Sequence, residues 1–263
     1  MNMEVSRTAI SRMLKEIRAE FKMDDCLYLD YFPRSHSRFV DVLMRIPKVL
    51  QARILDVGCG SGIMSIVLAK LGYKVFTTDL FSKPCEDHIR KYNIVFQKHN
   101  IEVDSLPFKD EWFDLVLFSE VLEHLNYSPL IPLREIHRVM KKGGRLILTT
   151  PNICTLKNAL WLLRGKNPIF MDLDRYYIDP KPIIWQDNRP FFQLHTRLYS
   201  ADELRHLLDV AGLRVKDIHY SYAHGPLNQA QWKKGIHWFL ATLLRLTQLS
   251  FLGDNILVVA EKE

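Results

Sequence analysis

From Ile54 to Gly62 the chain reads Ile-Leu-Asp-Val-Gly-Cys-Gly-Ser-Gly, an apolar run ending in three glycines at alternate positions. Glycines at that spacing let the backbone turn sharply and let a ligand approach where any Cβ would collide. A helical pattern begins at Ile63, and the free N–H groups at a helix start suit an anionic or carboxylate group. Seventeen residues beyond Gly62, just past a second apolar run, stands Asp79. A carboxylate there can accept both hydroxyls of a ribose in charge-assisted hydrogen bonds. A dinucleotide turn wants G-x-G-x-x-G or A, but here Ile63 follows Ser61-Gly62 and leaves no spare length to cradle a pyrophosphate. Adenosine without a phosphate is favoured over NAD. A glycine turn and an Asp after a strand are also ordinary punctuation in α/β proteins, so the pair gains weight from its surroundings.

Those surroundings alternate strand and helix patterns from residue 53 to 150, as expected of a parallel sheet covered by helices. Arg53–Val57 reads as a strand and Ile63–Leu71 as a helix stopped by Gly72; Lys74–Thr78 is the next strand. Phe113–Ser119, apolar on both faces, is a buried strand. Leu130–Met140 is a helix closed by Lys141-Lys142-Gly143-Gly144, and Arg145–Thr150 is a strand stopped by Pro151. From Asn152 to Leu198 no period is visible, and four prolines and many rings suggest a functional insertion. Ser200 then caps a helix over Ala201–Ala211, with Glu203 completing a capping box. Leu213–His219 and Asn255–Glu261 are the last two strands. The expected organisation is an N-terminal helical segment (1–50), a core (51–151), an insertion over the substrate (152–198) and a C-terminal part of the sheet (199–263). The fold class is α/β, a Rossmann-like seven-stranded mostly parallel sheet with helices on both faces.

The chain of 263 residues is 48% hydrophobic and 25% charged, which excludes disordered, collagen-like and coiled-coil classes. Thirty-six Lys and Arg against thirty Asp and Glu give +6, a balance that permits an anionic partner without requiring one. Cys26, Cys59, Cys85 and Cys154 are spaced too widely for a CxxC pairing, so neither a zinc site nor a disulfide framework is expected. A reducing, cytoplasmic compartment fits best. Residues 232–252 set Lys233, Lys234 and Arg245 beside Trp238, Phe239 and several leucines, an amphipathic stretch suited to a membrane surface or to covering the sheet.

The glycine segment, Asp79, Leu106-Pro107-Phe108, Phe113-Asp114-Leu115-Val116, Ser119-Glu120-Val121-Leu122-Glu123-His124-Leu125 and Val139-Met140-Lys141-Lys142-Gly143-Gly144-Arg145 together resemble class I S-adenosylmethionine-dependent methyltransferases. The similarity is to the small-molecule branch that makes quinones, strong over residues 36 to 151 and weak from 198 to 263. It implies S-adenosylmethionine as cofactor, a small-molecule acceptor such as a sugar or quinone, no metal, and no nucleic-acid partner. Asp56, Gly58, Cys59, Gly60 and Gly62 are then expected around the methionine part, and Asp79 with Leu80 at the ribose. Asn100, Ile101 and Glu102 are expected near the adenine, with Asn100 standing where the family usually has Asp and Glu102 as its rival. Ser119 and Glu120 would border the transferred methyl.

Two histidines are candidate proton acceptors: His124, beside Glu123, and His195, where the insertion rejoins the fold. His124 reads more readily as a packed helix residue, and His195 as readily as a supporting residue as a substrate contact. Arg38 can reach a cofactor carboxylate, with Tyr28 and Tyr31 closing the pocket, or the three can belong to a helix packed on the core. Pro84-Cys85 follows the second strand rather than the fourth, which argues against cytosine-type chemistry. No Asn-Pro-Pro-Tyr motif follows Ser119, which removes support for methylation of exocyclic amines. The insertion's Trp161, Phe170, Tyr176, Tyr177, Trp185, Phe191 and Phe192, with Arg164, Lys166, Arg175, Lys181 and Arg189, can form a lid, a nucleic-acid platform or a small satellite core.

Overall fold

The computed structural model describes residues 6–21, 32–49, 51–80, 86–168, 184–186, 189–191, 195–221 and 250–263. Cys26, Tyr28, Tyr31, Pro84, Cys85, Phe170, Arg175, Tyr176, Tyr177, Lys181, Phe192 and the stretch 232–249 lie outside the described residues. Trp185, Arg189 and Phe191 are described through their strands alone.

Two helices come first, α1 (Arg7–Glu20) and α2 (Phe32–Leu43). Ser6 caps α1 by accepting from the Ala9 N–H, and Ile10, Leu14 and Ile17 make its buried stripe at helical spacing. Alternation follows: β1 (Arg53–Val57), α3 (Ile63–Lys70), β2 (Lys74–Asp79), α4 (Glu86–Lys91), β3 (Val95–Lys98) and β4 (Phe113–Ser119). Then come α5 (Leu130–Val139), β5 (Met140–Pro151), α6 (Leu156–Leu163), a two-stranded hairpin of β6 (Ile184–Gln186) and β7 (Arg189–Phe191), α7 (Ala201–Val210), β8 (Leu213–Ser221) and β9 (Asn255–Lys262). Seven strands form one sheet in the order β3-β2-β1-β4-β5-β9-β8. All pairs from β3 to β5 are parallel, and β9 runs antiparallel to both its neighbours.

Successive side chains of a strand point to opposite faces, and this sheet is buried on both. Ile54, Leu115, Leu117, Ile147 and Leu257 pack with α1, α2 and α3. Leu55, Val57, Val116, Phe118, Leu146, Leu148 and Val258 pack with α5 and α7. The same parity carries Asp56 to the α3 face and brings it beneath the first turns of that helix.

The structure differs from the sequence reading in three places. A strand and helix absent from that reading, β3 and α4, complete the sheet's edge; β3 has only four residues, half-buried or exposed, so it shows no apolar signature. Lys141 to Gly144 lie within β5 as an excursion, because the register with β4 jumps from Phe113–Met140 to Leu115–Arg145. Gly144 is required there: a Cβ would lie 2.7 Å from the Lys141 carbonyl oxygen. Third, the insertion holds α6, capped by the Thr155 hydroxyl, and its ends meet where Asn152 bridges to Tyr199.

Arg138 of α5 fastens the loop that leads into β4. Its guanidinium donates to the carbonyls of Leu106 (2.8 Å) and Phe108 (2.9 Å) and to the carboxylates of Glu135 and Asp110. Glu135 in turn accepts from the Leu106 N–H. Removing one charged partner orphans several half-buried acceptors. Arg138→Met is therefore expected to lower stability by about 2 to 4 kcal/mol in urea denaturation; a loss below about 0.5 kcal/mol, the range of ordinary surface changes, would contradict that role.

Candidate active site

The carboxyl ends of β1, β2 and β4 are where an open parallel sheet usually places a ligand, in the crevice that the rule assigns to that edge. Gly58, Gly60 and Gly62 all adopt left-handed backbone angles, with φ of 75°, 53° and 72°. Those angles strain any L side chain, which explains the alternate glycines. The Gly58 and Cys59 N–H groups both bond to the Thr78 carbonyl, tying the loop to β2. A Cβ on Gly58 would also lie 2.3 Å from the Val121 side chain, so loop and post-β4 segment touch directly.

Asp79 ends β2, and its carboxylate accepts from the Gly60 N–H at 2.9 Å. One acid thereby joins the tips of β1 and β2. Asp56 lies beneath the loop, buried, and accepts from the Ser65 hydroxyl at 2.5 Å. Burial pushes its carboxyl up to about 6; the Ser65 bond opposes this and negative Asp79 adds to it. Burial also raises the Cys59 thiol, which makes it a poor nucleophile.

Glu120 follows β4 with φ of 57°, a conformation costing a non-glycine residue about 1 to 3 kcal/mol. Three contacts hold it there. Its N–H bonds to the Thr149 carbonyl (2.9 Å), its Oε1 accepts from the Thr149 hydroxyl (3.0 Å), and its Oε2 pairs with Arg38 at 3.1 Å. Ser119 joins through a 2.6 Å bond between its hydroxyl and that of Thr149. Arg38, from α2, thus points at the end of β4, and its buried Nε has no partner among the described residues.

Glu123 is fully buried, accepts from the Thr150 hydroxyl at 3.0 Å, and leaves Oε1 without a hydrogen bond among the described residues. Burial, and then the charge of Glu120, push its carboxyl well above the ordinary carboxylate range. The two candidate histidines meet here: the rings of His124 and His195 are 4.9 Å apart, and His124 Nε2 is 4.0 Å from Glu123 Oε1. Ligand atoms of Glu123, His124 and His195 all lie within 4.8 Å of one another, a spacing one divalent cation can bridge.

The adenine-side candidates are arranged differently from one another. Asn100 accepts through its side-chain oxygen from the Glu102 N–H, forming a local turn, and Ile101 is buried. The Glu102 carboxylate accepts from the backbone N–H groups of Asn126 and Tyr127 and so fastens the loop after the histidine turn. Leu80, half-buried, follows Asp79 at the rim.

Thr149, Thr150, Val121 and Thr196 are residues that the sequence reading missed. Thr196 donates its hydroxyl to the carbonyls of Glu123 (3.1 Å) and Leu125 (2.7 Å), which is what delivers His195 to His124. A pair of threonines closing an apolar strand, Leu148-Thr149-Thr150-Pro151, was the available signal. Thr196 gave none.

Residues 26–218 match the profile of a family described as a methyltransferase domain, and the chain belongs to that family. The ubiquinone biosynthesis O-methyltransferase of Ruegeria pomeroyi is 36% identical over 172 residues, 63% of this chain and 61% of that protein. Its counterpart in Cereibacter sphaeroides is 29% identical over 153 residues, 54% of this chain and 61% of that protein. The chain therefore spans 61% of the length of these curated relatives. Among solved structures, an S-adenosylmethionine-dependent methyltransferase of Thermotoga maritima superposes with a TM-score of 0.58 at 17% identity, covering 97% of this chain and 100% of that one. That likeness is one of fold.

The raised Asp56 acid has a measurable consequence. Between about pH 4 and pH 6 the folded protein holds a proton that the unfolded chain, with the ordinary value of 3.8, has released. Stability from this group is thus present at the acid end and lost as pH rises through about 6. Asp56→Asn, which keeps an acceptor for Ser65, is expected to be more stable relative to wild type at about pH 7.5 than at about pH 4.5, by roughly 2 kcal/mol. An unchanged difference between the two pH values would show that Asp56 is ionised in the fold.

Proposed function

We propose that the chain transfers a methyl group from S-adenosylmethionine to an oxygen of a small molecule of the kind its relatives' names indicate, a quinone precursor. The observation that carries this reading is the Asp79 carboxylate bonded to the Gly60 N–H across the crevice mouth. It supplies a negative acceptor where a ribose must sit, beside a glycine turn too short for a pyrophosphate. The residues present fit an adenosyl group: an acid for two hydroxyls, a loop without side chains at alternate positions, and an orphaned Arg38 Nε for a carboxylate.

In this assignment Asp56, Gly58, Cys59, Gly60 and Gly62 surround the amino-acid part, and Asp79 and Leu80 the ribose. Asn100 and Ile101 take the adenine edge, since the Glu102 carboxylate is engaged by the next loop. Ser119 and Glu120 border the reacting atoms. When bound, the cofactor supplies an electrophilic methyl on a sulfonium, itself a good leaving centre. The chain must therefore hold the acceptor oxygen in line, worth up to about 7 to 11 kcal/mol in intramolecular models. It must also take the hydroxyl proton, for which His124 or His195 offers an imidazole nitrogen. Burial, and then the charge of Glu120, disfavour a second negative charge on Glu123 beside Glu120.

A second role for the histidines is favoured by the same cluster: with Glu123 they would hold a divalent cation that binds the acceptor's oxygens. Dialysis against a chelator separates the two. Methyl transfer that survives it supports the imidazole base, and transfer restored only by added magnesium or zinc supports the cation.

The cofactor assignment is tested by thermal shift. S-adenosylhomocysteine at one hundred times its dissociation constant is expected to stabilise the protein by about 2.7 kcal/mol, and NAD to leave it unmoved. Asp79→Ala, losing about tenfold in affinity, should cut the shift at the same ligand concentration to about 1.4 kcal/mol. Stabilisation by NAD alone would remove the methyltransferase reading.

A further inference from the structure

We propose that Ser35 and Thr149 are positioning residues that set the Arg38 guanidinium for the carboxylate of the cofactor's amino-acid part, and so make the site select the intact amino acid. The proposal rests on the cofactor assignment and goes beyond it, because neither residue borders the cofactor in that assignment. Both are buried, Ser35 on α2 and Thr149 near the end of β5.

The guanidinium is fixed on three sides. One terminal nitrogen, Nη2, donates to the Ser35 hydroxyl at 3.1 Å, an i,i+3 contact along one face of α2. The other, Nη1, pairs with Glu120 Oε2 at 3.1 Å. The group lies over the Phe39 ring, with Cζ 5.7 Å from the ring centre. Nε remains, buried and without a partner among the described residues. A buried donor of a charged group is costly to leave open, so a ligand oxygen is what this edge of Arg38 lacks.

Glu120 can hold Arg38 only if it is held itself. A threonine hydroxyl has a single proton, and that of Thr149 goes to Glu120 Oε1 at 3.0 Å. In the 2.6 Å contact between the Ser119 and Thr149 hydroxyls, Ser119 is therefore the donor. The result is a directed chain in which Ser119 donates to Thr149, Thr149 donates to Glu120, and Arg38 donates to the far oxygen of the same carboxylate. The Thr149 carbonyl also accepts from the Glu120 N–H at 2.9 Å, so one residue sets both the left-handed backbone of Glu120 and its side chain.

Charge is the reason the arginine must be fixed in advance. Asp56, Asp79, Glu120 and Glu123 stand on or just after β1, β2 and β4, and Glu120 already pushes the Glu123 carboxyl up while Arg38 opposes it. A further carboxylate entering there is repelled unless a cation meets it at close range. A guanidinium arranged beforehand loses less side-chain freedom on binding, and its planar edge matches a carboxylate.

The test compares S-adenosylhomocysteine with its decarboxylated analogue, which keeps the adenosine, the thioether and the amine, by titration calorimetry on the full chain. Wild type is expected to bind the parent at least about tenfold more tightly, the worth of a hydrogen-bonded charge pair. Thr149→Val and Ser35→Ala should each weaken the parent by about five- to tenfold and leave the analogue within about twofold. Thr149→Ser, which keeps the hydroxyl, should restore most of the affinity for the parent. Circular dichroism checks that each variant is folded. A merely structural role would weaken both ligands alike, and that result would overturn the inference, as would wild-type affinity for the parent in both Thr149→Val and Ser35→Ala. Wild type that binds parent and analogue equally would leave the cofactor assignment standing and remove the positioning role; wild type that binds neither would remove both.

Discussion

One hydrogen bond organises the crevice: the Gly60 N–H donating to the Asp79 carboxylate. It joins the ends of two neighbouring parallel strands, and it forms only because the loop can adopt three left-handed residues in alternation. Everything around it follows from the sheet. Parallel strands point all their carboxyl ends one way, so β1 offers glycines, β2 an acid, β4 a strained glutamate and β5 two threonines to the same space. A single register slip in β1 would turn Asp56 away from Ser65 and present it to the α5 face, among the buried apolar side chains that pack there.

One left-handed non-glycine residue, Glu120, and the unpaired buried groups of the described residues lie at this edge. Glu120 is held in a left-handed conformation by Thr149 and Arg38, and Gly58 has no room for a methyl because Val121 fills it. Arg38 Nε, Glu123 Oε1 and the Tyr199 hydroxyl are the buried side-chain polar atoms without partners among the described residues. All three belong to segments that border the end of β4 or β5. Buried polar groups left open among the described residues are the ones that call for an explanation, and these stand where the strands end.

Sequence made some of this legible for definite reasons. The glycines were readable because their conformation excludes other residues, and Asp79 because a strand of known length ends before it. The buried strands were readable from continuous apolar runs, and the capping box of Ser200 and Glu203 from its spacing, which the structure reproduces. Other features had no local signal. The Arg38–Glu120 pair and the meeting of His124 with His195 join segments remote in sequence, and β3 is a short edge strand with little apolar content. Helix α6 was hidden for the opposite reason: apolar on nearly every side, it has no periodic contrast between a wet and a dry face.

Titration calorimetry of S-adenosylhomocysteine against its 2′,3′-dideoxy analogue measures directly whether Asp79 holds a ribose, as proposed. Wild type is expected to bind the parent compound at least about tenfold more tightly, the worth of hydrogen bonds to a charged acceptor, and Asp79→Ala to bind the two alike. Equal affinities in the wild-type protein would contradict it, because the acid at the end of β2 would then be serving the loop alone.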